Sequence, residues 1–595
     1  MKIPRLFLVF TLLAAITFAA DPAFDTWVDN LTAEAMRADP TTATTVQYFT
    51  GPEQDALDRR LTPNTKAYLA ERATVARKAL AELDQFDRSK LDPQQIVSLR
   101  IIEWHMREVV KAEPLDDHTL VFNQFRGLHV SLVNFLSQNH PVRNRRDIEN
   151  YLARLELVAS QIDEGIAQAR DAATRGFLMP DFITQAAIGQ FDRFLAGDPA
   201  KNVLVTSLDE RAAKVAALSA EERATFVTAA ERITADAIIP AFQRARALLQ
   251  EQLPLTKAEA GLWRLPRGDE AYAIFLGYYT TTNLSPREIH ETGLREVARI
   301  EAEMDRLFRQ IGYTEGSIMA RCTQLNRDSQ PPAEPDPRPG LLARHEEILA
   351  DAVRRAQLLF DLQPKAPCVV KREPPFTEKT AAAHYSIPAR DGSRPGVFWA
   401  PLPGPVFRML NMRTLTYHEA IPGHHFQLAL MQEMSGLPRF RQDRIFGWNS
   451  ANSEGWALYA EQLAAENGWY EDDIKGRIGQ LEAELFRARR HVVDTGLHAM
   501  KWTRQQAIDY GLPGVNATAE VDRYVVLPGQ ACSYKIGQLK ILELRTRAKA
   551  ALGEKFSIKE FHNVVLRAGV VPLSVLDSIV DDWIAAEKIK PAAAL

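Results

Sequence analysis

The chain has 595 residues, 46% of them hydrophobic and 25% charged, with a formal net charge of −4. That composition is typical of a soluble globular protein, and the slight acidic excess gives no electrostatic case for nucleic acid. The length allows several ordinary domains or one large helical enzyme with a cleft.

The first residues have the pattern of an export signal. MKIPR carries Lys2 and Arg5, and LFLVFTLLAAITFAA then supplies uncharged, mostly apolar residues up to Asp21. This is short for a membrane span and right for a secretory core, with cleavage expected after Ala19 or Ala20. Loss of Lys2 and Arg5 takes the net charge from −4 to about −6. No cysteine follows the cut, which argues against a lipid anchor there, and no later stretch is apolar enough to span a bilayer. The mature protein is expected to be periplasmic or secreted, without a membrane anchor. Cys322, Cys368 and Cys532 form no disulfide framework, and Cys322–Cys368 is the nearer of the pairings open in an oxidising compartment.

From Asp21 to about Leu255 apolar residues recur three and four apart with charges between them, as in TKAYLAERATVARKALAEL and DIENYLARLELVASQIDEGIAQARDAATRG. That spacing predicts amphipathic helices. Ser219 with Glu222 and Ser285 with Glu288 predict capped helix starts. SQPPAEPDPRPG, 329–340, predicts an exposed loop between helices. CVVKREPP and HYSIPARDGSRPGVFWAPLP, about 368–403, hold the β-branched and aromatic residues of strands, with Asp391-Gly392 at a turn. Helices resume beyond. The expected fold is mostly α, with a small antiparallel sheet. The expected divisions are a signal peptide at 1–20, an N-terminal helical region at 21–265 and a catalytic region at 266–595, the last two forming one continuous compact unit.

The chemistry concentrates in TYHEAIPGHHFQ, 416–427. His418-Glu419 opens like a zinc-protease helix, but the position four residues on is Pro422. On a regular helix His424 would point about 240° away from His418, and His425 would lie about 10 Å along the axis. Neither could share an ion whose ligand distances are about 2.0–2.1 Å. Pro422 cannot donate to the preceding turn and disfavours helix at Ile421, and Gly423 accepts the backbone a break requires. Pro422-Gly423 is therefore expected to be a two-residue insert, with either His424 or His425 taking the second ligand position. Glu454, in NSEGWALYAE downstream, is the candidate third ligand. Glu461 lies two turns further on the same face and is placed to orient a ligand histidine. Two histidines and one carboxylate leave a position for water, and Glu419 is the candidate base. The oxyanion donor comes from elsewhere: Tyr524, Tyr534 or His498. Arg487, Arg489 and Arg490 are expected to form a solvated or ion-paired face.

NSEGWALYAE resembles the element that supplies the third zinc ligand in gluzincin aminopeptidases. HEAIPGHHFQ, EGWALYAE and LPGQACSYKIG together closely resemble the bacterial domain-of-unknown-function family 885, regarded as metallopeptidase-like, along nearly the whole chain. The resemblance implies a large helical two-lobed fold with a deep central cleft, like that of the angiotensin-converting enzyme and oligopeptidase groups, with the small sheet beside the zinc helix. It implies an edge strand along the cleft that pairs with substrate backbone, for which Gly396 to Pro401 is the candidate. Arg523-Tyr524 is similar to an Arg-Tyr pair whose tyrosine stabilises the oxyanion in the angiotensin-converting enzyme family. Arg523 and Lys535 are candidates for holding a substrate carboxylate.

The expectation is therefore an exported peptidase with one zinc ion, cleaving short peptides, with a carboxypeptidase or oligopeptidase mode in view. The competing expectations are a metal-dependent hydrolase of another amide or ester and a catalytically silent helical peptide-binding protein.

Overall fold

The computed structural model describes residues 20–332, 335–374, 378, 381–390, 392, 394–447 and 449–590. The expected signal peptide, apart from Ala20, and Asp391 of the expected turn lie outside the described residues. Among the described residues no helix is long and apolar enough to cross a membrane.

Local sequence sets the helix ends. Thr65 caps Lys66–Leu83 and Asn144 caps Arg145–Thr174, each by accepting a backbone N–H from the first turn. Ser219 and Ser285 both make reciprocal capping boxes with the glutamate three residues on. The second box opens helix α1, Pro286–Gln310, whose buried Ile289, Val297, Ile300, Met304 and Leu307 recur at helical spacing. Such side chains contribute about 1.5–3 kcal/mol each when fully buried. The Pro-rich break ends three residues earlier than expected, because helix α2, Arg338–Ala356, carries Pro339 in its first turn, where a missing N–H removes no bond.

The sheet is three-stranded: β1, Cys368–Arg372; β2, His384–Ser386; β3, Gly396–Ala400. Its order is β1-β3-β2, with β1 parallel and β2 antiparallel to β3. It is thus mixed rather than antiparallel. β2 returns to β3 as a hairpin, and β1 reaches β3's other side through a crossover, which forces the parallel direction. β3 is consequently the buried centre strand, and the edge role expected of Gly396–Pro401 is excluded because both its ladders are filled. β2 provides the edge.

Helices α3, Met412–Glu419, and α4, His424–Glu433, follow the sheet; then come α5, Ser450–Glu466, α6, Ile474–His498, α7, Ala517–Val526, and α8, Ser533–Leu552. Two hydrophobic cores organise these elements. The first joins helices of the first 115 residues to the sheet, α3 to α5 and the C-terminal helices. The second joins residues 120–260 to the end of α6 and to α7. The expected N-terminal region therefore contributes to both. α5 and α8 press together at Gly455 and Gly537: a Cβ on Gly455 would lie 2.4 Å from the Gly537 carbonyl carbon. This explains a glycine within a buried helix. The cysteines are free thiols, Cys322 and Cys532 buried and Cys368 half-buried, so the Cys322–Cys368 bridge is absent.

Candidate metal centre

α3 and α4 are one helical run interrupted by Ala420–Gly423. Past the break, Phe426 donates its N–H to the Ala420 carbonyl at 3.3 Å, six residues back instead of four. The interruption therefore adds two residues. Gly423 is required by close approach rather than by a left-handed backbone: a Cβ there would sit 2.0 Å from the His418 carbonyl oxygen and 2.4 Å from that of Tyr417. The buried Pro422 carbonyl accepts from Trp456 Nε1 of α5 at 2.9 Å, so α5 clamps the break from outside the run.

The break brings His424 round to His418. Their ring centroids lie 4.8 Å apart, and Glu454 Oε2 of α5 is 3.5 Å from His418 Nε2 and 3.4 Å from His424 Nε2. One ligand atom from each of the three lies within 4.8 Å of those of the other two. Two ligands at about 2.0–2.1 Å from a tetrahedral ion are separated by about 3.4 Å, so the donor set fits one divalent cation of that geometry.

Behind it, His418 Nδ1 donates to Glu461 Oε1 at 2.7 Å, leaving Nε2 free to face the shared point. This is the orienting contact a ligand histidine requires, and it follows from the seven-residue separation of Glu454 and Glu461 on α5. Burial opposes charge on His418, but Glu454, Glu461 and Glu419 outweigh it and raise its pKa to about 10. Burial likewise opposes charge on Glu454, yet the two histidines hold its carboxyl well below the usual range. These buried groups form an anionic pocket that a cation would neutralise.

His425 is turned away. Its Nε2 donates to the Ala366 carbonyl at 3.1 Å and its Nδ1 accepts from the Tyr385 hydroxyl at 2.9 Å. Gly396 of β3 leaves room for that pair, since a Cβ there would meet His425 Nδ1 at 2.6 Å. Of the two alternatives left by the sequence, the structure brings His424 to the shared point.

The three-residue cluster opens on a cavity of about 950 Å³ that also receives Glu419, β2, Arg523 and Tyr534. Its lining includes Leu402 and Phe407 of the first core and Val515 and Phe486, which pack on the second. It is the deep cleft expected between large helical regions.

Other candidates stand elsewhere. Tyr524 is 1% exposed, accepts from Arg490 Nε at 3.0 Å and donates to Glu520 at 2.8 Å, outside the cavity lining. His498 is fully buried between the Leu262 N–H and the Tyr524 carbonyl. Lys535 is fully buried with Glu484, Gln538 and Glu296 at 2.7, 2.8 and 2.9 Å, so it cannot present its charge to a substrate in the cleft. Arg523 lines the cavity but is engaged by Gln530 at 2.7 Å and Glu520 at 3.4 Å. Arg489 pairs with Glu301, and Arg490 with Glu520, as expected of an ion-paired face; Arg490 and Arg487 also line the cavity, Arg487 without an ion pair among the described residues. Sequence reasoning missed Tyr385 and the β2 edge. The signal was available, because a hairpin closing at Asp391-Gly392 sets 384–386 beside 397–399 and leaves it outermost.

The fold recurs in solved proteins. The crystal structure of the "putative lipoprotein" from Colwellia psychrerythraea superposes with a TM-score of 0.85 at 29% identity, over 95% of this chain and 99% of that one. A "putative lipoprotein of unknown function" from Shewanella oneidensis shares the fold with a TM-score of 0.71 at 18% identity, over 94% and 100% of the two chains. No functionally curated protein matches the sequence. Residues 40–580 match a family described as bacterial protein of unknown function, DUF885, and with that span this chain belongs to the DUF885 family.

Proposed function

We propose that this protein is an exported zinc-dependent peptidase acting on short peptides. The observation that carries the reading is the convergence of His418, His424 and Glu454 at 3.4–3.5 Å separations on the wall of a large cavity, with Glu419 lining the same wall. Two nitrogens and one oxygen from the protein leave a coordination position open, which distinguishes a catalytic zinc set from a structural one. Bound there, zinc would act as a Lewis acid and lower the pKa of water.

The chain's own residues supply the remaining parts. Glu461 holds the His418 ring in the tautomer that presents Nε2. Glu419 is the base that accepts a proton from water and delivers it to the leaving amine. Tyr534 lines the cavity, and its hydroxyl has no hydrogen-bond partner among the described residues, so it is free to donate to the oxyanion of the attacked carbonyl. β2 is an edge strand lining the cavity, and its unpaired backbone groups offer a peptide sequence-tolerant hydrogen bonds. A cavity of about 950 Å³ admits chain ends and short peptides. Export is supported by MKIPR and its apolar run, and by the description of both solved relatives as "putative lipoprotein".

The test is a mixed peptide library digested by the zinc-loaded protein, read by mass spectrometry beside Glu419→Gln. Cleavage by the wild type and a loss of about 10²–10⁴-fold in the variant, with bound zinc unchanged, are expected. Equal turnover by the two would remove Glu419 from the reaction, and an intact library would end the peptidase reading.

A further inference from the structure

The cavity presents more arginine than the proposed chemistry uses. Arg390 is held by Asp443, and Arg490 and Arg523 share Glu520. Arg444, in the left-handed region at φ 55, lies in the field of Asp443 and, more weakly, of Glu454. Arg408 and Arg487 have no such commitment.

Arg487, on α6, donates Nη1 only to the Ala483 carbonyl of its own helix at 3.1 Å, and its Nε is buried without a partner. Arg408, before α3, makes no hydrogen bond or ion pair among the described residues. Loss of solvation lowers the Arg408 pKa, Glu482 opposes that, and the like charge of Arg487 adds a smaller lowering. Glu482, whose charge opposes that lowering, has its own pKa raised by burial and partly lowered by Arg408. Arg408, Arg487 and Glu482 thus line the same cavity. Their positions are also built. Gly514, at φ 69, lies against Arg408, and a Cβ there would fall 2.1 Å from Nη2. The positive φ disfavours a side chain at 514, which leaves that space to the guanidinium.

An anion that bridges two guanidiniums on one wall gains charge-assisted hydrogen bonds from both and supplies an acceptor to the buried Arg487 Nε. We propose that Arg408 and Arg487 form a carboxylate clamp that fixes the substrate in the cleft. The clamp rests on the reading of the cavity as a peptide site and narrows it to peptides that bring a carboxylate to this wall. The carboxylate comes either from a free C-terminus or from an acidic side chain. Arg523 and Lys535, the basic residues the sequence favoured for this role, are occupied by protein acceptors.

The experiment measures binding of fluorescent hexapeptides to zinc-loaded Glu419→Gln, so that affinity is read without cleavage. One peptide has a free C-terminus and one an amide, and each is made with a glutamate or a glutamine inside. Removal of the recognised carboxylate should weaken binding about tenfold or more. The glutamate and amide arms identify its source. Adding Arg408→Gln and Arg487→Gln should abolish that preference while leaving the zinc content and the residual affinity for the uncharged peptide unchanged. Arg487→Lys should restore part of it. Equal binding of all four peptides, or a preference that survives both substitutions, would overturn the clamp. Cleavage by the wild type without any carboxylate preference would overturn the clamp and leave the peptidase intact. Carboxylate-dependent binding without cleavage would support the clamp and end the peptidase.

Discussion

Two of the chain's Pro-Gly breaks ahead of a helix, Pro422-Gly423 before α4 and Pro528-Gly529 before α8, do opposite things. The first turns His424 toward His418 and opens on the cavity. The second is a packing joint. Gly529, at φ 83, donates its N–H to Asp494 at 3.0 Å, and a Cβ there would lie 2.8 Å from the Leu276 Cα. Asp494 also accepts from the Tyr272 hydroxyl, and Lys535 beyond the joint is consumed by Glu484 and Glu296. The same dipeptide thus leads into His424, which faces the cavity, in one case and into Lys535, which is spent on buried acids, in the other. Partner inventory, rather than motif, separates the two.

Tyr534 and Tyr524 give the comparison its largest expected contrast. Tyr534 follows the second break but faces the cavity, whereas Tyr524 is held by Arg490 and Glu520. Tyr534→Phe should lower kcat about 10²–10³-fold at unchanged stability, the loss found for a single oxyanion donor. Tyr524→Phe should act on stability instead, by about 1–3 kcal/mol, through the buried partners it strands. Steady-state kinetics beside thermal unfolding separates them, and a kcat loss confined to Tyr524→Phe would return that tyrosine to the reaction.

This contrast also marks where the sequence was legible. Pro422 and the spacing of Glu454 and Glu461 made the convergence of His418, His424 and Glu454 legible, because the rotation per residue and the two-residue insert are local properties. The capped helices were legible for the same reason, as Ser219 and Ser285 find their partners three residues away. The sheet direction was not: whether β3 is edge or centre depends on β1 crossing over, and no residue of β3 records that. Nor was the burial of Tyr524 and Lys535, whose partners are up to 239 residues away in the case of Glu296. Charge near a motif in sequence says nothing about the acids a fold brings to it.

The two glycines sharpen the comparison at the backbone. Gly423→Ala forces a methyl to within 2.0 Å of the His418 carbonyl oxygen and must move the histidines apart. A displaced ligand set should weaken metal binding about 10–100-fold, the range seen when a supporting contact around a metal is lost. Gly529→Ala should destabilise the fold, because its φ of 83 disfavours a side chain, while the bound metal per folded molecule stays at the wild-type value. Metal content by elemental analysis and chelator competition checks both. Equal metal loss in the two variants would mean the breaks are not functionally distinct.

The smallest effect tests the second break as a purely structural joint. Burial opposes ionisation of Glu484, but Lys535 and Arg299 outweigh it and bring its pKa down to about 2, against an unfolded carboxylate value of about 4.3. A carboxyl with a depressed folded pKa stabilises above its unfolded value, and that contribution disappears as the pH falls through the folded value. Glu484→Gln should therefore be less stable than the wild type at neutral pH, by on the order of 1–3 kcal/mol. The gap should close as the pH falls from about 4.3 toward 2, measured by denaturant unfolding at each pH. Because Glu484 and Lys535 are buried away from the cleft, the pH dependence of peptide binding near neutrality should be the same in both proteins. A shift in that dependence would connect the joint to the cleft and erase the distinction between the two breaks.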